Sequence, residues 1–185
     1  HSPYTLSLHD ALPILSRAKT NDAKLEKEEI KESIFYGNKK LDHRPIVVGM
    51  GPAGMFAALS LAQNGYRPIV IERGEKVEDR TKSVEEFWKS GKLNLNSNVQ
   101  FGEGGAGTFS DGKLTTRIKD KRCDFVLREF VNAGAPEEIT YMGKPHIGTD
   151  ILKDVVKNIR EEIIKLGGEV RFNSKLEDIK IKDNK

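Results

Sequence analysis

Cysteine is nearly absent: Cys123 is the only one in 185 residues. A single thiol excludes an internal disulfide, a CxxC redox pair and any zinc site built on several cysteines. It fits a reducing compartment, and a cytoplasmic location is expected. Aromatic residues make up only 7% of the chain, with one Trp. No dense Lys/Arg block is interleaved with them, so no nucleic-acid partner is expected. The 31 basic and 28 acidic residues leave a net charge of +3, spread along the chain. No apolar run approaches the roughly 20 residues of a membrane-spanning helix, so no membrane insertion is expected. No second histidine stands at ligand spacing from His146, which is read as a loop residue, and no metal is expected.

The length suits one domain, or one and a piece. Residues 4–14 read YTLSLHDALPI, which resembles the translation of a short-read sequencing adapter. Residues 1–14 are therefore expected to be a non-native scar. The alternative is a native strand and turn, because Tyr4, Leu6 and Leu8 alternate. Residues 15–44 are rich in both charge signs and read as a charged linker or the tail of a preceding domain. Residues 45–185 are expected to be the N-terminal part of a nucleotide-binding domain, truncated at Asp183-Asn184-Lys185 without a closing element.

From Pro45 the texture changes. Ile46-Val47-Val48 is an apolar run of the kind found in buried parallel strands. A small-residue helix is predicted over 52–64, with Gly65 as its C-terminal cap. Residues 68–71 form a second apolar run that ends at Glu72. Strand, helix and strand in so short a space make a βαβ unit, so the fold class is α/β, Rossmann-like, with a parallel sheet. Ser83 and Glu86 have capping-box spacing and predict a helix through Trp88 to Gly91, with Trp88 in the core. Cys123, Val126, Leu127 and Phe130 predict another helix, with Cys123 on its apolar face. Ile151, Leu152, Val155, Val156, Ile159, Ile163 and Leu166 form the strongest helical stripe, capped by Thr149 or Asp150. Strands are predicted over 169–172 and 176–181.

The sharpest motif is Gly49-Met50-Gly51-Pro52-Ala53-Gly54, a GxGxxG turn with Ala58 beyond it. Gly49 permits the tight turn off the strand, Gly51 lets backbone approach a pyrophosphate, and Gly54 lets the helix pack closely on the sheet. Pro52 suits the first helical position, which needs no N–H. The helix N-terminus then faces the phosphates. Glu72, at the end of the next strand, is placed to accept hydrogen bonds from a ribose 2′-OH. Arg73 beside it could meet a 2′-phosphate, although a solvated surface residue is the plainer reading. The plainer reading of the whole motif is a tight turn without a ligand, which its place between strand and helix disfavours.

A second glycine-rich loop, residues 100–112, is framed by Phe101 and Phe109. Glycine here suits close approach of backbone to a ligand, and a mere linker would not need the aromatics. Asp111 and Lys113 are candidates for polar contacts near a ligand, or simply turn residues. RPIVVGMGPAG (44–54), RPIVIERGEKVEDRT (67–81), NVQFGEGGAGTFSDGKLTTR (98–117) and KPHIGTD (144–150) together resemble a widespread bacterial family. Its members are uncharacterised FAD-dependent dehydrogenases or oxidoreductases among the glutathione-reductase-like flavoproteins.

The resemblance implies a domain that binds FAD, with Gly49, Gly51, Pro52, Ala53 and Gly54 at the pyrophosphate. It implies that Glu72 holds the adenosine ribose with Arg73 nearby. By position it implies that Gly104, Gly105, Ala106, Gly107 and Thr108 run along the pyrophosphate or flavin, with Arg80 a further contact. Residues 169–172, continuing to Leu176, are implied near the adenine. The implied function is a flavin-dependent oxidoreductase acting on an unknown small-molecule substrate, with NAD(P)H an expected electron donor. A redox cysteine pair like that of the disulfide reductases is missing, so a dithiol mechanism is not expected. No catalytic residue can be named in this stretch, and the fragment alone is expected to be inactive, with weak hold on FAD. Two alternatives remain: an NAD(P)-binding dehydrogenase domain, and a flavin-binding protein without catalysis.

Overall fold

Three short strands of β-branched residues form a parallel sheet in the computed structural model: β1 (Ile46–Val48), β2 (Ile69–Ile71) and β3 (Glu169–Arg171). The structure describes residues 41–182 except 117 and 119. The adapter-like segment and the charged linker up to residue 40 lie outside the described residues. The strand order is β1-β2-β3, with Ile46 opposite Ile69 and Ile69 opposite Glu169. This is the order of the first half of a doubly wound nucleotide-binding sheet, in which the second strand lies between the first and third. The α/β fold class read from the sequence is correct.

Four α-helices are present among the described residues: α1 (Pro52–Gln63), α2 (Val77–Ser90), α3 (Arg122–Asn132) and α4 (Thr149–Lys165). Successive strand residues point to opposite faces of the sheet. Val47, Val70 and Val170 turn to the side that holds the core, where α1 and α4 pack on the strands and on each other. Met55, Ala58, Leu59 and Ala62 of α1 meet Leu152, Val155, Val156, Ile159 and Ile163 of α4 in one cluster. The small residues of α1 allow close approach, and the α4 stripe supplies the bulk. Each large aliphatic side chain so buried contributes about 1.5–3 kcal/mol.

The opposite face of the sheet carries Ile46, Val48, Ile69 and Ile71. Ile46 is 65% exposed and Val48 56% exposed, so this apolar face is open among the described residues. The edge of β1 away from β2 is unpaired as well among the described residues.

Four expectations need correction. Helix α2 begins at Val77, six residues before Ser83, and the Ser83 hydroxyl instead donates to the Glu75 carboxylate (2.6 Å). Trp88 is 65% exposed because it lies on the outer face of α2, not in the core. Gly148, not Thr149 or Asp150, is the N-cap of α4, and the Thr149 hydroxyl donates to the Ser110 carbonyl (2.9 Å). Residues 176–181 form no strand. Their alternation of Leu176, Ile179 and Ile181 with charged residues lacks a neighbouring strand to pair with, and isolated extended chain is not stable in water.

The open face makes a prediction. Replacing Ile46 and Val48 together by Thr keeps β-branching but removes apolar surface. The doubly substituted chain is expected to show less self-association in light scattering than the unsubstituted chain, with its circular dichroism spectrum unchanged. Equal association in both would show that this face does not drive it.

Candidate functional site

The glycine turn between β1 and α1 is built as its sequence demands. Gly49 has φ +88°, and its N–H donates to the Ile71 carbonyl (2.7 Å), which ties the turn to β2. A side chain at Gly54 would overlap the carbonyl oxygen of Gly49, so only glycine fits there. Gly51 is different: its φ of −72° is ordinary, and a Cβ on it would meet nothing within 4 Å. Nothing inside the described chain requires glycine at that position. The space in front of it is where an outside group would lie.

Gly51 is also the N-cap of α1, with no side-chain cap bond, and Pro52 follows it. The first-turn N–H groups of Ala53 and Gly54 therefore point out of the helix end without a side-chain acceptor. They carry the positive end of the helix dipole. Pro52 and Ala53 are exposed. An anion placed against Gly51 would complete this helix end.

Beside the turn lies a cleft of about 370 Å³, lined by Gly49, Gly51, Glu72, Arg73, Phe101 and Gly105 among others. Ser174, Lys175 and Leu176, just beyond β3, close another side. Glu72 is buried, and its carboxylate accepts from the N–H of Met50 (2.6 Å) and of Gly74 (2.8 Å). Its role as a buttress of the turn went unread in the sequence. Each carboxylate oxygen keeps a second lone pair for a hydroxyl in the cleft. Arg73 is not a freely solvated neighbour: its guanidinium lies 3.6 Å from the Phe101 ring centre and donates to the Leu95 carbonyl (3.1 Å).

The second glycine loop is pinned against the first turn. The Gly104 N–H donates to the Met50 carbonyl (2.8 Å), and a Cβ on Gly105 would press on Pro52 Cδ at 3.0 Å. Gly102, Gly104, Gly105 and Gly112 all have φ in the left-handed region. Of the residues expected along a cofactor, Gly105 lines the cleft, and Ala106 and Gly107 are exposed. Gly104 and Thr108 are buried, and the Thr108 hydroxyl faces the Glu103 carbonyl (3.4 Å). Asp111 and Lys113 form an exposed ion pair (2.6 Å), and Lys113 bridges to His146, away from the cleft lining.

Arg80, expected as a further cofactor contact, is fully buried beneath the loop. Its guanidinium donates to the carbonyls of Asn98 (2.9 Å), Val99 (2.9 Å) and Glu103, and lies over the Phe109 ring. Burial pulls it down to about 10, against the pull of Glu72 and Glu103, so it stays charged at neutral pH. It supports the site from below.

Two residues that the sequence reading passed over complete this support. Glu103, inside the loop, accepts from the Val77 N–H (2.6 Å) and from Arg160 (2.8 Å). Arg160 of α4 also grips Glu78 through both nitrogens (3.0 and 2.7 Å). The available signals were a glutamate between two glycines, and an arginine directly beside the apolar stripe of α4. Cys123 is half-buried on α3, and no group of three or more candidate metal ligands occurs among the described residues.

Residues 44–105, which carry β1, the glycine turn, α1, Glu72 and most of the supporting cluster, match the FAD binding domain family. The chain is also 65% identical over 172 residues, 93% of its length, to a protein of Clostridium beijerinckii described as an uncharacterized protein. The chain spans 32% of that relative's length. No helix among the described residues is long and apolar enough to cross a membrane.

Two measurements check the geometry. Gly54→Ala forces a methyl group into the Gly49 carbonyl and is expected to lower stability by about 1–3 kcal/mol in denaturant melts. An unchanged midpoint would contradict the close packing. Arg160 hydrogen-bonds Glu78 and holds its carboxyl down at about 2. A carboxyl held below its unfolded value stabilises above that unfolded value, and the stabilisation is lost as pH falls through the folded one. Glu78→Gln should therefore destabilise the chain at neutral pH, with the difference from wild type shrinking between about pH 4.5 and pH 2. A difference independent of pH would rule out the ion pair as its source.

Proposed function

From the match of residues 44–105 to the FAD binding domain family, we propose that this chain holds FAD as the nucleotide-binding part of a flavin-dependent oxidoreductase. The observation that carries the reading is Gly51: a helix-capping glycine with ordinary φ and nothing before it within 4 Å of a Cβ. The residues fit a dinucleotide. Gly49, Gly51, Pro52, Ala53 and Gly54 would hold the pyrophosphate at the N-terminus of α1. Glu72 and Arg73, on the cleft wall, would hold the adenosine ribose, with residues 174–176 near the adenine. Gly105, Ala106 and Gly107 would run along the pyrophosphate from the other side.

When bound, FAD supplies the electron chemistry, taking up and passing on a pair of electrons with a proton. The chain's own residues bind and orient. The helix end and the backbone N–H groups meet the phosphate charge. The Glu72 carboxylate keeps the turn in shape through the Met50 and Gly74 N–H groups while presenting its remaining lone pairs to the ribose. Arg80, from beneath, keeps the second loop in place. We propose NAD(P)H as the electron donor, a small molecule as substrate, and a cytoplasmic site of action.

The test is FAD binding followed by quenching of flavin fluorescence. Gly51→Val fills the space where the pyrophosphate would lie. Within the described chain its side chain starts into open space. The variant is expected to keep its thermal midpoint within a degree or two and to lose FAD binding by roughly a hundredfold or more, the loss of two or three phosphate hydrogen bonds. FAD binding unaffected by Gly51→Val would overturn the assignment. Binding of NAD(P) but not FAD would replace the flavin with a nicotinamide cofactor. Retained FAD that no donor bleaches would favour a flavin-binding protein without turnover.

A further inference from the structure

Glu103 is fully buried, and every polar group it has but one is used. Its N–H donates to the Glu75 carbonyl (3.1 Å), and its own carbonyl accepts from Arg80. Its Oε2 accepts from Val77 N–H (2.6 Å) and Arg160 (2.8 Å). Its Oε1 is buried without a partner among the described residues. The residue sits between Gly102 and Gly104, whose left-handed backbone turns the side chain inward and the Gly104 N–H toward Met50. One side chain thus joins α2, α4 and the second glycine loop, and the next residue joins that loop to the phosphate turn.

We propose that Glu103 is a positioning residue for the cofactor: a proton on its buried carboxyl keeps the second glycine loop seated on the phosphate turn. The inference rests on the FAD reading above. An ionised carboxylate with one oxygen unpartnered in the interior is strongly disfavoured, and a neutral carboxyl much less so. Burial pushes Glu103 up to about 7, against the pull of Val77 N–H and Arg160.

The charged groups around it give no second partner. Arg160 of α4 is already committed to Glu78 of α2 through two bonds. Arg80 of α2 faces loop carbonyls and lies near Glu72, the Glu75 carboxylate is taken by Ser83, and Lys76 lies ahead of α2 near Glu78. Loss of the proton therefore adds a negative charge beneath the loop that a diphosphate must approach. It loosens the seat and repels the ligand in the same step.

A diphosphate bound above the loop disfavours the ionised form further, so the Glu103 carboxyl holds its proton more tightly with FAD bound than without it, and by linkage FAD binds less tightly as pH rises through the free-chain value. FAD affinity of the full chain should therefore fall from about pH 6 to about pH 8.5, by roughly tenfold for each unit by which FAD raises that pKa. In Glu103→Gln, which carries no ionisable group, the ratio of affinities at the two pH values should be close to one. A carbon NMR titration of the Glu103 carboxyl in the cofactor-free chain reads the same proton without FAD and should have its midpoint near 7. A midpoint in the ordinary carboxylate range, or a Gln variant with the wild-type pH slope, overturns this inference and leaves the FAD reading standing. Absence of FAD binding at every pH overturns both.

Discussion

The guanidinium of Arg80 is the fixed point of this structure. It is fully buried and donates hydrogen bonds to three carbonyl oxygens of the loop between Asn98 and Glu103. Those carbonyls have no strand or helix to serve them. A buried carbonyl left without a partner, as that of Asn98 would be, destabilises a fold by about 1–3 kcal/mol. A planar fork with five donors can satisfy several acceptors at once, and lysine cannot reproduce that geometry. The Phe109 ring closes one side of the cation. Around this point a glycine-rich stretch that would otherwise be free chain holds one shape.

From that point the support runs outward in two directions. Toward the core, the loop is tied through Glu103 to Val77 at the start of α2 and to Arg160 on α4. Toward the cleft, the Gly104 N–H reaches Met50, whose own N–H is held by Glu72 at the end of β2. The two glycine loops, far apart in sequence, therefore share one scaffold. Their glycines serve different ends. At Gly54 and Gly102 a side chain would strike the protein itself, while at Gly51 it would strike nothing. The first kind lets the chain pack, and the second leaves room for a ligand.

Sequence periodicity made the βαβ unit legible because its elements are simple: short β-branched strands, a helix opening on proline, and a glycine after its end. The α4 stripe was legible for the same reason, since seven apolar residues recur at helical spacing. Less legible was whatever depended on distant partners. Ser83 has capping spacing with Glu86, but the helix starts earlier because the Val77 N–H finds an acceptor in Glu103, 26 residues away. Trp88 was read as core, yet it lies near the end of α2, where Glu85 one turn before it is exposed as well. Glu72 was read as a ribose contact from its place at the end of the second strand, and Arg80 as a further contact from the family resemblance. The backbone groups each one serves cannot be seen from residue type. In the candidate site, the turn itself was legible, and the network that holds it was not.

The two faces of the sheet are an unequal pair, and the inequality follows from sequence alternation. Val47, Val70 and Val170 have α1 and α4 to pack against, whereas Ile46, Val48, Ile69 and Ile71 have nothing of comparable size among the described residues. Sheets whose strands are apolar on both faces are normally covered on both. The glycine turn does not depend on that second cover: its bonds to Ile71, Glu72 and Gly104 all come from the covered side, the strand ends and the loop. The glycine turn can therefore keep its shape while the far face of its own sheet is bare among the described residues, which separates the geometry of the turn from the solubility of the chain that carries it.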